Sequence, residues 1–425
     1  MASARSLLLV PLASAEAADA GRFGPKAANL ARLAHAGLPT PGGFCIDAEA
    51  YRRQVEALAL EGTAQAVASD DPGIARRAAL DMRLALLERP IDAPIRYSFL
   101  AAWREWAESA SAGMAVRSSA LVEDRFGTSF AGQFESYMPL HTEEEFETAL
   151  RACWAALWST RVLRYMATNG ASPADTAMAV LVQPLVAAKV SGGALSRTSG
   201  GDIVINATQG LGAAIAQGEV VPERIVLTAG GELREKSSAR EYGALRCAHG
   251  RRGAVFARRR CLTDGQATEL AALVKRVEAI MGMPVEIEWA LDDAGVVLLQ
   301  ARPLHLEPAA VPDAIWQRHP GLRGHPAGVG WGSGRACVVQ CECELSRVAA
   351  GDVLVTRAAG PALGQVLPRV SAVVSELGGS TSHLASLARE RGIPMVLGVL
   401  DATRRIPDGV QVAVDGVAGV VRWMR

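Results

Sequence analysis

The chain has 425 residues, of which 50% are hydrophobic and 21% charged, a balance that describes a globular protein long enough for two or three domains. Lys plus Arg and Asp plus Glu both number 44, so no overall basic field draws the chain to nucleic acid or to an anionic membrane. Seven cysteines, an odd number spread over a long chain, fit reduced thiols in a cytoplasmic protein better than a disulfide framework.

From the N-terminus, the apolar run from Ser6 to Ala13 is short and broken by Pro11, so a first β-strand explains it at least as well as a signal peptide. No window reaches the ~18 uninterrupted apolar residues of a membrane span. Residues 1–305 alternate strand-like apolar runs with helical stretches, Ala27 to Ala36, Glu144 to Thr168 and Asp264 to Met281, which is an α/β (α+β) pattern. Gly24 and Lys26 precede the first of these helices, a weak phosphate signal on its own. The strand Ala115-Val116-Arg117 ends in an arginine followed by Ser118 and Ser119, and the stretch Ser129 to Tyr137 contains Gly132 and Ser136. An arginine fork with loop amides can hold a polyphosphate; a surface ion pair beside an ordinary turn is the alternative. Gln183 falls on the strand from Val180 to Val186.

Pro284 to Ala290 and Leu298 to Pro303 read as two strands around an Asp292-Asp293-Ala294-Gly295 turn, and a hairpin would bring Glu288, Gln300 and Arg302 to one face. Hard oxygen ligands such as Glu288 and Gln300 suit Mg²⁺ together with substrate phosphates, and Arg302 then faces the charge that develops on a transferring phosphoryl group. A structural salt bridge between Glu288 and Arg302 is the alternative. Prolines and glycines at 306–326 are expected to interrupt any regular element and to form an interdomain linker. A compact last domain, 327–425, is expected to hold strands at Asp352 to Thr356, Ala372 to Ser375, Val410 to Val414 and Gly419 to Arg422, with a helix from about Ser382 to Arg391. Cys337, Cys341 and Cys343 form the only cysteine cluster; alternation on a short strand explains the last two better than a metal site, which would want a fourth ligand.

The segment Gly378-Gly379-Ser380-Thr381-Ser382-His383, opening that helix, is the most informative in the chain. The glycines admit close backbone approach, Ser380 or Thr381 can cap the helix, and its N-terminal amides favour an anion. A neutral imidazole is a competent nucleophile toward phosphorus near pH 7, and the phosphoramidate it forms remains reactive. This setting suits His383 to be a covalent phosphoryl carrier; a histidine that simply packs or caps at a helix start is the alternative.

From Gly328 through Gly351-Asp352-Val353-Leu354-Val355 and the Gly378 to His383 signature to Val414-Asp415-Gly416, the chain closely resembles the swivelling phosphohistidine domain of phosphoenolpyruvate synthase, pyruvate phosphate dikinase and rifampicin phosphotransferase. Its N-terminal part resembles the ATP-grasp domain of the same family. The resemblance implies an ATP-grasp domain at 1–305, a linker at 306–326 and a small swivelling β/α phosphohistidine domain at 327–425. It also implies ATP and Mg²⁺ as cofactors, Lys26, Arg117, Gly132, Ser136, Gln183, Glu288, Gln300 and Arg302 as nucleotide-binding residues, Gln183 bordering the adenine, Glu288 and Gln300 as metal ligands, and His383 with Arg302 as catalytic. One departure is Gln209-Gly210-Leu211-Gly212-Ala213, where related sequences usually carry an acidic residue that contacts the nucleotide sugar; Glu286 for the more usual Asp is milder. Neither the pyruvate-binding barrel nor the antibiotic-binding domain of these relatives is expected here. The acceptor is then a small molecule or sits on a separate acceptor-binding subunit, as in a split phosphoenolpyruvate synthase. A nucleotide-binding regulatory protein without turnover is the competing class, disfavoured by the retained nucleophile.

Overall fold

A computed structural model describes residues 8–123, 134, 136–168, 171–216, 218–242, 255–306 and 319–424. The chain divides into two compact units, residues 1–187 with 297–302, and residues 188–296 with 303–425.

In the first unit the expected N-terminal strand forms at Leu9–Pro11 and edges a five-stranded antiparallel sheet. The order continues with Phe44–Ile46, Met178–Pro184, Met114–Ala120 and Ser136–Leu140. Helices start at acidic or hydroxyl caps: Asp19, Asp47 and Asp71 each accept a backbone N–H of the first turn, and Thr142 with Glu145 forms a reciprocal capping box. The helix read at Ala27 to Ala36 is longer, Ala20–His35, with a break at Gly24, whose φ of 74° and ψ of 160° are not helical. Pro25 and Lys26 thus begin the straight part, proline being suited to a first turn that has no amide partner to lose. The stretch read as one helix from Glu144 to Thr168 is two, Glu143–Ala156 and Thr160–Thr168. The Ser159 hydroxyl takes the Val162 amide at 3.3 Å and restarts the helix. Trp103 stacks on Phe146 at 4.6 Å, and Phe44 meets Phe146 edge-on at 6.5 Å, at the heart of this core.

In the second unit an antiparallel sheet runs in the order Val285–Leu291, Val190–Leu195, Ile203–Gln209, Glu223–Leu227, Leu233–Ser237. The helix Asp264–Met281 packs on it, opened by a Thr263/Gln266 capping box and closed by Gly282 in the left-handed region. The same unit holds an eight-stranded sheet, ordered Gly321–Arg323, Val420–Trp423, Gln411–Asp415, Trp331–Val339, Val353–Thr356, Ala372–Ser375, Met395–Leu397, His325–Pro326. The three pairings from Trp331–Val339 to Met395–Leu397 are parallel, over a core of Val353, Val355, Val374, Val396 and Val414.

Two local readings change. Within the stretch read as an unstructured linker, residues 321–323 and 325–326 are strands: Leu322 pairs with Val421, and His325 with Leu397. Pro326 is tolerated because it lies in a two-residue strand at the end of the sheet order; residues 307–318 fall outside the described residues. Cys341 and Cys343 are not on a strand, which ends at Val339; the Cys341 sulfur caps the 3-10 turn Glu342–Arg347 by accepting the Cys343 amide at 3.3 Å. Among the described residues no group of three or more His, Cys, Asp or Glu side chains could hold a metal by itself, and no helix is long and apolar enough to cross a membrane.

Candidate active site

The first unit gathers five of the expected residues around one strand. Arg117 lies directly across from Ser136 on one side and Leu181 on the other, and Ala115 lies across from Gln183. Opposed residues of antiparallel strands share a face and side chains alternate, so Arg117, Ser136 and Gln183 belong to one face of the sheet. Ser136 is exposed, whereas Gln183 is buried and its amide nitrogen donates to the Gly42 carbonyl at 3.0 Å. Arg117 donates to the Leu299 carbonyl at 2.6 Å and to Gln300 Oε1 at 2.9 Å, so two expected residues are joined directly.

Lys26 reaches the same strand from the helix start. Its ammonium donates to the Ser118 carbonyl at 2.7 Å and lies 3.4 Å from Glu123, whose other oxygen accepts the Ala120 amide at 2.9 Å. This close approach depends on Gly24: a Cβ there would lie 2.3 Å from the Ser119 carbonyl oxygen. Arg302 is buried and is the last residue but one of the strand Val296–Pro303, two residues beyond Gln300. Gly132 lies outside the described residues.

Glu288 and His383 both belong to the second unit. In the first sheet of that unit one row of directly opposed residues runs Glu288, Gly193, Asn206, Arg224. The turn before His383 is seated on this row. The Asn206 amide nitrogen donates to the Ser380 hydroxyl at 2.9 Å and to the Thr381 hydroxyl at 3.1 Å, and a Cβ on Gly193 would lie 2.6 Å from the Thr381 Cβ. The Gly378 amide donates to the Val220 carbonyl at 3.0 Å, and a Cβ on Gly379 would lie 2.6 Å from the Pro222 ring, which gives the double glycine its physical reason. Because Ser380 and Thr381 face Asn206, neither caps the helix as expected; Ser382 does, accepting the Ala385 amide at 3.3 Å. His383 is the first residue of the helix His383–Glu390 and is half-buried.

The far end of this helix is fixed by groups that the sequence reading did not assign. Arg389, buried, forms an ion pair with buried Glu286 at 2.7 Å and donates to the Ser380 carbonyl at 2.6 Å and the Ala327 carbonyl at 3.1 Å. The Ser386 hydroxyl donates to the same carboxylate at 3.0 Å. Glu286 and Glu288, two apart on one strand, point to the same face. Ser382, Ser386 and Arg389 stand four and three apart, a spacing that puts them on one side of the helix but names no partner for them. Ala213 begins the four-residue helix Ala213–Ala216 in the same unit.

Residues 20–319 match the family described as pyruvate phosphate dikinase, AMP/ATP-binding domain, and residues 348–419 match the PEP-utilising enzyme, mobile domain. The chain belongs to the phosphoenolpyruvate synthase and pyruvate phosphate dikinase family. It is 31% identical to the phosphoenolpyruvate synthase of Pyrococcus furiosus over 95% of its own length and 57% of that protein's, and 32% identical to that of Aeropyrum pernix over 94% and 56%. The prodigiosin synthesizing transferase PigC of Serratia marcescens is 36% identical over 70% of this chain and 33% of its own. The chain thus spans a little over half the length of the phosphoenolpyruvate synthases it matches. In family terms the two matched parts are the ATP-grasp nucleotide domain and the phosphohistidine domain, and the described seat of the Gly378 to His383 turn joins elements of both within one unit.

Proposed function

We propose that the chain is an ATP-dependent phosphotransferase in which His383 takes the β-phosphoryl group of ATP and passes it to an acceptor. The observation that carries this reading is the seating of the His383 turn on the sheet face that bears Glu288. The lone pair of the neutral imidazole attacks the β-phosphorus and AMP leaves as its bridging bond breaks. Water then cleaves the remaining anhydride and releases phosphate, so that one phosphoryl group stays on the histidine. Lys26, Arg117 and Arg302 neutralise the triphosphate and the charge that develops on it, with Gly132 and Ser136 as further nucleotide-binding residues and Gln183 beside the base. Positioning and charge neutralisation are most of what phosphoryl transfer asks of a protein. Glu288 and Gln300 are oxygen donors of the kind Mg²⁺ takes beside substrate phosphates, and the ion would supply further charge neutralisation there.

Kinship does not fix the acceptor, since relatives bear names as different as phosphoenolpyruvate synthase and prodigiosin synthesizing transferase. A small molecule, or a site on a partner subunit, receives the group. Product analysis tests the reading: the purified chain with ATP and a panel of acceptors is expected to yield AMP and phosphate, and Arg302→Ala to lower the rate by roughly two orders of magnitude while ATP still binds. Stoichiometric ADP, or full activity in Arg302→Ala, contradicts it.

A further inference from the structure

The buried ion pair under the histidine helix calls for a role. Glu286 and Arg389 have side chains only 5% and 6% exposed, and removing two charges from water is costly unless each is fully engaged. They are engaged on purpose-shaped partners: the carboxylate takes Ser386 as well, and the guanidinium reaches back along the helix to the Ser380 carbonyl, three residues before His383. Ser380 is in turn held by Asn206. One continuous polar chain therefore runs from the sheet, through Glu286, Arg389, Ser380 and Asn206, and back to the sheet, enclosing the turn that carries the histidine.

We propose that Glu286, Arg389 and Asn206 are positioning residues that hold the His383 turn on the Glu288 row while the histidine is charged. This rests on the phosphotransferase reading. An apolar seam of the same shape would hold the helix without fixing its rotation or register. Directional bonds at both ends of the segment, to Ser380 and Thr381 before the histidine and to Ser386 and Arg389 after it, fix both. None of the three residues is asked to touch the reacting phosphorus.

Hydrogen exchange and two labelling reactions test this on the full chain. In the unmodified protein the amides of residues 378–382 are expected to exchange slowly, because Gly378 and Ser382 donate to Val220 and Gly379 carbonyls. Glu286→Gln and Asn206→Ala are each expected to speed that exchange and to slow labelling of His383 by ATP by about tenfold or more. Labelling of His383 by phosphoramidate, a small donor that needs no seated turn, should change by less than about twofold, and Glu286→Asp should restore part of the ATP reaction. Unchanged exchange and unchanged ATP labelling in both variants would overturn the proposal. So would an equal loss of ATP and phosphoramidate labelling, which marks general damage to the domain. If the variants release the 378–382 amides but ATP labels no form of the protein, the docking set stands and the phosphotransferase reading fails.

Discussion

Thr381 can lie against the sheet because Gly193 has no side chain. A methyl group there would lie 2.6 Å from the Thr381 Cβ, well inside contact distance, so the turn must shift. Gly193→Ala is accordingly expected to slow ATP-dependent labelling of His383 by roughly ten- to a hundred-fold, with labelling by phosphoramidate little changed; stopped-time labelling measures both, and an unaffected ATP rate would refute the placement. Thiol chemistry offers a second check at this scale. Burial pushes the Cys45 thiol up to about 12, so almost no thiolate exists at pH 8, whereas Cys343 is exposed. Iodoacetamide on the native protein at pH 8 should modify Cys343 and spare Cys45, as peptide mass mapping would show. His383 was legible because its setting combines glycines, hydroxyls and a helix start in consecutive residues. Asn206 and Arg389 were not, since their partners lie 174 and 103 residues away and no local pattern announces such a bond.

Elements were legible where local chemistry and burial agree. The helix Asp264–Met281 has its bounds as read, because a capping box opens it and a left-handed glycine closes it. The stretch Glu144 to Thr168 was misread as continuous because Ser159, a residue with alternative hydrogen bonds, interrupts a periodic apolar pattern without a proline or glycine to mark the break. The strands at 321–326 are too short to show any alternation, and their prolines and glycines read as linker until the pairing with Val420–Arg422 and Val396–Leu397 is seen. The capping box at Thr142 carries a quantitative expectation. Thr142→Ala leaves the Glu145 amide without its side-chain partner and should cost about 1 kcal/mol, read from the urea midpoint; no shift would mean that water replaces the cap fully.

At the scale of the whole chain, two family domains account for the fold, and in the proposed reaction each unit contributes different residues. The first unit supplies Lys26, Arg117 and Gln300 around one strand, and the second supplies the seat of His383 on the Glu288 row. The chain spans a little over half of its phosphoenolpyruvate synthase relatives, and the acceptor is the part of the proposed reaction furthest from what the residues dictate. Charging of the histidine is the part nearest to them, and it needs no acceptor. The most direct test incubates the chain with ATP labelled at the β-phosphate and Mg²⁺, then locates the label. The expected result is acid-labile, base-stable label on His383, one equivalent of AMP released for each group bound, and no label on His383→Ala. Label that persists in His383→Ala, or ATP converted to ADP with none on the protein, would contradict the account.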